Sequence, residues 1–317
     1  MHTQQNLRQG QHLIKILQSF RGLESTRKRD QLFAFWGLAC GDLPIPDYRC
    51  PSRTVFIQIA KWLLEDAKDL LLLAMGLRPN PQLPSWVPDW ASKLPFENNY
   101  WRRRLHCLDS YDSAKDIERS IRFTNPDTLC LSGIMVGKVA DVAQQRLTSE
   151  NTVEHAAMLR NWQGFAADSS RADESLALEF SETMIAGCSH QSSSSFPAAT
   201  ARDVSLCQEV LVRMMTDGNF DDDANELLAI RQAHLGALWD RVLFRSSDGR
   251  LGLGPSSLRK DDEVWIMGGG QAPFILRQAP EHTEYPSHRL VGHAYVNGIM
   301  QGEAVKSMSS LQECRLV

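Results

Sequence analysis

The chain has 317 residues, of which 43% are hydrophobic and 23% charged, with a formal net charge of −4 and a pI near 6.1. That is the composition of a globular protein long enough to bury a sizeable core, with a length that points to about two structural units. The slight acidic excess excludes a general nucleic-acid binder, which carries a basic surplus. The seven cysteines are scattered and include no C-x-x-C pair, so they match neither a disulfide framework nor a zinc site and are expected to be reduced thiols. No apolar segment near the N-terminus reads as a secretory signal. The longest apolar stretch, Leu70 to Met75, is far short of the ~20 residues that span a bilayer. A cytoplasmic protein is expected, with no membrane or nucleic-acid partner, no cofactor and no metal.

In chain order, Leu13, Ile14, Leu17 and Phe20 share one face of a first helix that Gly22 ends. A second helix is predicted over Arg29 to Ala39, apolar nearly all round through Leu32, Phe33, Phe35, Trp36 and Leu38 and therefore buried. A Pro-punctuated loop, Pro44 to Tyr48, follows. A third helix starts at Ser52, read as its N-cap, and carries Val55, Phe56, Ile59, Ala60, Leu63 and Leu64. A short helix from Asp66 to Met75 is stopped by Gly76. Residues 79–95 hold five prolines, which neither continue a helix nor donate to a ladder. Trp86 and Trp90 add too much apolar area for a solvated linker, so an ordered loop between layers is expected. In the triplet Arg102-Arg103-Arg104, a solvated face or a phosphate contact is expected.

Ile121 to Phe123 and Leu129 to Leu131 alternate around the turn signal Asn125-Pro126-Asp127 and read as a hairpin, with a further strand over Gly133 to Val142. Residues 148–240 read as helical. Within them, Ser189 to Ser195 reads as a loop and Asp221-Asp222-Asp223 as a helix start, without the spacing of a calcium loop. From Val242 onward the pattern becomes β, with strands at Val242–Arg245, Arg250–Leu253, Glu263–Met267, Pro273–Arg277, Arg289–Ala294 and Gly302–Val305. Gly249 to Gly254 and Gly268-Gly269-Gly270 read as hairpin turns; no Lys-Ser/Thr follows the first, so the phosphate-loop pattern fails. The elements predict an α+β fold, with a helical N-terminal and central part packed on a small C-terminal antiparallel sheet or open barrel. The expected division is 1–240, mainly helical with the Pro/Trp loop and a short β segment near 120–145, and 241–317, an antiparallel β module.

Two clusters carry chemistry by residue type. Trp86 and Trp90 are able to wall a ligand pocket with Asp89 as its polar group, or to plug the junction between the helical and β parts. Asp30, Asp47 and Asp89 are expected to pair with arginines such as Arg29 or Arg277. His293, Tyr295 and Asn297 fall on one face of a strand, with Glu303 nearby. A His, a Tyr and a carboxylate suit general acid–base work, and the same alternation suits a solvated sheet face. The candidate catalytic residues are therefore Asp89, His293, Tyr295 and Glu303, and the candidate ligand-binding residues Trp86, Trp90, Arg277 and Asn297. His106 and Cys107 are neighbours in sequence and are not expected to face one another.

Three segments carry a resemblance: Arg29-Asp30-Gln31-Leu32-Phe33-Ala34-Phe35-Trp36-Gly37-Leu38; Leu83-Pro84-Ser85-Trp86-Val87-Pro88-Asp89-Trp90; and the C-terminal run from Gly252-Leu253-Gly254-Pro255 through Tyr295-Val296-Asn297-Gly298-Ile299-Met300-Gln301-Gly302-Glu303. In order and approximate spacing they resemble the region that follows the toxic domain of fungal heterokaryon-incompatibility-type proteins. The W-I-D-A and C-I-N-Q type motifs of that toxic domain are absent. The resemblance implies a family member without that domain, acting as a regulatory or recognition module in non-self recognition. A stand-alone enzyme of cyclase or isomerase type in secondary metabolism is the alternative, because such reactions run on shape and a few acid–base groups. The expected partner is accordingly a protein or a small-molecule ligand.

Overall fold

The computed structural model describes residues 13–14, 16–17, 21, 25–35, 45–67, 69–75, 80–92, 98–167, 174–189, 196–217, 225–280, 286–305 and 311–317. The expectations for Phe20, Gly22, Trp36, Leu38, Pro44, Gly76, Pro79, Pro95, the serines from 191 to 195 and Asp221 to Asp223 lie outside the described residues, as does the side chain of Arg102. The helices are α1 (Asp30–Phe33), α2 (Ser52–Asp66), α3 (Leu71–Ala74), α4 (Asn98–Leu108), α5 (Thr152–Ala167), α6 (Glu174–Met184), α7 (Ala201–Asp217) and α8 (Asn225–Leu238). The strands are β1 (Ile121–Asn125), β2 (Thr128–Val142), β3 (Arg241–Ser246), β4 (Leu251–Pro255), β5 (Glu263–Met267), β6 (Phe274–Gln278), β7 (His288–His293), β8 (Tyr295–Val296) and β9 (Gln312–Leu316).

Helix α2 forms because Val55, Phe56, Ile59, Ala60, Leu63 and Leu64 recur at helical spacing, and all six are buried. Its N-cap is Pro51 rather than Ser52: Ser52 is already helical, no side chain caps the end, and the Pro51 carbonyl takes the first bond from Val55 N. The helix stops at Ala67, whose ψ of 151° is extended. The helix expected from Asp66 to Met75 is consequently only the four-residue α3.

The predicted α+β class holds, and the sheet is larger than expected. The two β segments expected between 121 and 142 beyond the turn merge into β2, a continuous strand of 15 residues. It pairs with β1, β3, β5 and β9, with register shifts opposite β5 between Met135 and Gly137 and opposite β3 between Val139 and Asp141. Those bulges let one strand leave one set of neighbours and join another. The order is β5-β6-β7-β9-β2-β3-β4-β8, with β5 also pairing β2. The path returns to β2, but β7 and β9 run parallel and meet at the single pair His288–Leu316, so the sheet is not a clean barrel. The strand expected at Gly302–Val305 is turn and bend, and the last strand is instead β9, which lies between β7 and β2.

The 80–92 loop binds the layers together, as expected of an apolar loop. Trp86 is 1% exposed and donates Nε1 to the Asp127 carbonyl of the β1–β2 turn at 2.9 Å. Trp90 is buried edge-on against Phe56 of α2, ring centroids 5.5 Å apart. Ser85 N reaches the Val317 carbonyl at 3.0 Å, and Ser85 Oγ accepts from Leu290 N of β7 at 2.9 Å.

Candidate functional site

Helix α4, the turn after α6, the start of β3 and the end of β7 meet in a buried polar junction. On α4, Arg103, Arg104 and Cys107 lie three and four positions apart and face one way. Gly236 of α8 permits the close approach of the two helices, because a Cβ there would stand 2.5 Å from Arg103 Cδ. The arginine triplet is therefore not a solvated face at its last two positions. Arg104 is 5% exposed and donates to the Trp239 carbonyl, and Arg103 lies over the Phe196 ring at 4.2 Å and donates to the Ser189 carbonyl at 3.1 Å.

Arg241, the first residue of β3, is 4% exposed, and its Nη2 stands 2.5 Å from His293 Nε2. His293 Nδ1 is 3.2 Å from the Ala74 carbonyl, so Nδ1 carries the hydrogen and Nε2 accepts from the guanidinium. Burial first, and then Arg241 and Arg104, hold the imidazole well below its ordinary pKa. His293 is neutral, and both its nitrogens are engaged inside the protein.

Tyr295 is buried and its ring centroid is 6.1 Å from that of Tyr111. Asn297 Nδ2 donates to Tyr295 Oη at 3.2 Å and to Glu182 Oε2 of α6 at 3.0 Å. Burial and the Glu182 charge push the Tyr295 phenol well above its usual range. Glu179, one helical turn earlier, accepts from Leu251 N of β4 at 3.0 Å. The turn after α6 carries Ala186 at φ 51° and Gly187 at φ 60°. A Cβ on Gly187 would lie 2.9 Å from Tyr295 Cε2, so glycine is required there twice over. Tyr111 Oη donates to the Ala186 carbonyl at 2.5 Å, and Cys188 Sγ is 3.4 Å from Tyr111 Oη. Burial lowers the pKa of the Arg241 guanidinium from its ordinary value.

Of the eight residues singled out from sequence, the junction gathers His293, Tyr295 and Asn297, on β7, β8 and the turn that follows rather than on one continuous strand. The alternation there is not a solvated face, since His293 and Tyr295 are both buried. Asp89 makes its contacts in the 80–92 loop, accepting from Asn80 Nδ2 at 2.8 Å and Ala91 N at 3.1 Å, while Arg21 bonds its carbonyl. Trp86 and Trp90 pack in the same loop. Arg277 forks onto Asp262 with two 2.8 Å bonds rather than onto Asp30, Asp47 or Asp89, and Asp47 pairs with Arg49. Glu303 accepts from Gln301 N at 2.7 Å on the rim of a cavity of about 180 Å³ beside Asp248 and Arg250. A larger, mainly apolar cavity of about 380 Å³ lies between α5, α6 and α7, lined by residues including Phe180, Leu211 and Met215.

Sequence reasoning missed Arg104, Arg241, Cys107, Cys188 and Tyr111. Arg104 and Cys107 share a face of α4, but no spacing connects that face to Arg241 of β3 or to Cys188 after α6. The adjacent His106 and Cys107 do part company: His106 faces Asp109, 3.9 Å away, and Cys107 faces the junction. Among the described residues no group of three or more His, Cys, Asp or Glu side chains is placed to hold a metal ion, and no helix is long and apolar enough to cross a membrane.

Residues 208–312 match the family model of the Het-6 beta-barrel domain. That match takes in α8 and β3 to β8 and leaves out the central strand β2. The chain is similar to heterokaryon incompatibility protein 6, OR allele, of Neurospora crassa, with 24% identity over 88% of this chain and 49% of that protein. The chain thus spans about half the length of the curated relative it matches. No solved structure matches it. The resemblance to fungal heterokaryon-incompatibility proteins read from the three sequence segments is thereby supported along most of the chain.

Proposed function

We propose that this chain, similar to a fungal heterokaryon incompatibility protein and matching its beta-barrel domain, acts as a regulatory or recognition module in non-self recognition. The observation that carries the reading is a similarity running over 88% of the chain. The geometry supports it from a second side. Of the groups best suited by type to acid–base work, Asp89 is bonded within the 80–92 loop, and His293 and Tyr295, the latter through Asn297 and Glu182, are engaged in contacts that join the helical layer to the sheet. Such contacts stiffen a scaffold, and a stiff scaffold presents its surface to a protein partner at little ordering cost. The cyclase or isomerase alternative draws no support from the relative or from those contacts.

The test is a strain lacking the gene, its parent and a complemented strain, each paired with a panel of tester strains and scored for viability of the fused cells. At least one pairing is expected to change on deletion and to return on complementation. Identical outcomes in every pairing, together with a metabolite lost from the deletion strain, would overturn the recognition reading in favour of the enzyme.

A further inference from the structure

The cavity between α5, α6 and α7 goes beyond the recognition reading and does not depend on it. Its volume of about 380 Å³ lies within the ~300–1,000 Å³ of small-molecule sites, which are mostly apolar with a few polar groups that orient the ligand. The space stays open because alanines, Ala166 on α5 and Ala177 on α6, stand where larger side chains would fill it. Phe180 and Leu211, both buried, line it from within, beside the adaptable thioether of Met215. Val212, 51% exposed, carries the apolar wall out to the surface. The polar groups are Ser181, whose Oγ donates to the Ala177 carbonyl at 2.8 Å, and the amides of Gln163 and Gln208. Gln163 is exposed and Gln208 half-buried, so the amides stand at the mouth, and neither makes a hydrogen bond among the described residues. An amide offers a donor and an acceptor together, the pair that a hydroxyl uses. Among the described residues none that lines the cavity is ionisable. The charged neighbours in α7, Glu209 and Arg213, bond one another, and Arg160 of α5 donates to the Met215 carbonyl at 2.7 Å. A charged ligand would enter this space with no opposite charge to pair with, a cost that an uncharged one escapes.

We propose that this cavity binds an uncharged amphiphile, a carbon chain or ring that carries a hydroxyl or carbonyl. The carbon body displaces water from Phe180, Leu211 and Met215, and the head group bonds the Gln163 and Gln208 amides at the mouth. The ligand touches three helices at once. One of them, α6, bonds the sheet side through Glu179 to Leu251 N and through Glu182 to Asn297. A ligand that binds only the folded chain raises its stability by mass action.

The test uses the whole 317-residue chain and N-phenylnaphthylamine, an uncharged fluorophore whose emission rises in apolar surroundings. A saturable rise is expected. Decanol, decanoate and decylammonium, equal in chain length and different in charge, then compete for the site. Decanol is expected to displace the fluorophore at about tenfold lower concentration than either ion. A diazirine analogue of decanol, photolysed on the protein and mapped by mass spectrometry, is expected to label peptides of α5, α6 and α7. Ala177→Trp, which fills the cavity, should abolish that labelling. Gln163→Leu and Gln208→Leu combined should weaken decanol about fivefold, the worth of one neutral hydrogen bond. The proposal fails if the emission does not saturate, if either ion competes as well as decanol, if the label falls outside the three helices, or if Ala177→Trp is labelled as strongly as the natural chain. Competition and labelling on the unsubstituted chain decide it, so a poorly folding variant does not.

Discussion

Arg241 and His293 stand 2.5 Å apart, nitrogen to nitrogen, with a buried guanidinium donating to a neutral imidazole whose other nitrogen is held by the Ala74 carbonyl. One contact thereby joins β3, β7 and the segment carrying α3. His293→Ala removes the acceptor and leaves a buried charge with less to bond, at a cost of about 3 kcal/mol. His293→Gln, which keeps an acceptor, is expected to lose less. Urea unfolding of both variants at pH 7 measures the difference.

Trp86 fills a large volume and also donates to Asp127. Trp86→Phe keeps most of the apolar burial, strands the carbonyl and is expected to cost about 1–2 kcal/mol. Trp86→Ala opens a cavity and costs about 4 kcal/mol. Equal losses in the two variants would mean that the hydrogen bond, not the packing, dominates.

His155 of α5 and His234 of α8 stack with ring centroids 5.0 Å apart, and neither nitrogen of His234 has a hydrogen-bond partner. Burial, with Arg231 beside it, lowers the pKa of His155 to about 4, and burial with His155 beside it drives His234 well below the usual value. Both are neutral in the fold, while in the unfolded chain they take up protons near pH 6.5. Unfolding therefore binds protons, and stability falls as pH drops from about 6.5 towards 4. Denaturation midpoints at pH 7.5, 6 and 5 are expected to decline in the natural chain, and to decline less with His155→Leu and His234→Leu combined.

Glu263 gives an acid limb at lower pH. His288 first, with Trp265 Nε1 and Gln278 also bonding, holds its carboxyl at about 2 against burial. Its contribution is present above the unfolded value near 4.5 and is lost as pH falls from there towards 2. Glu263→Gln should lower stability at pH 7 and flatten that limb in a thermal-melt series from pH 5 to pH 2.5.

Gly187→Ala tests the turn behind the junction. A φ of 60° and a Cβ 2.9 Å from Tyr295 Cε2 combine backbone strain with a clash, and about 2 kcal/mol of destabilisation is expected. Gly249→Ala also sits at positive φ but meets nothing within 4 Å and should cost less.

Local pattern was enough for the amphipathic run from Val55 to Leu64, the hairpin around Asn125-Pro126-Asp127 and the strands at 242–277, because each is set by near neighbours in the chain. The apolar weight of Trp86 and Trp90 likewise announced an ordered loop. The three sequence segments carried the family resemblance. The continuity of β2 was decided only in the tertiary structure, since bulges at Gly137 and after Val139 depend on which strands lie opposite. The junction was decided there too. Whether Arg104 meets solvent or core and whether His293 has a free nitrogen depend on elements far apart in the chain, whose approach is governed by packing rather than by spacing.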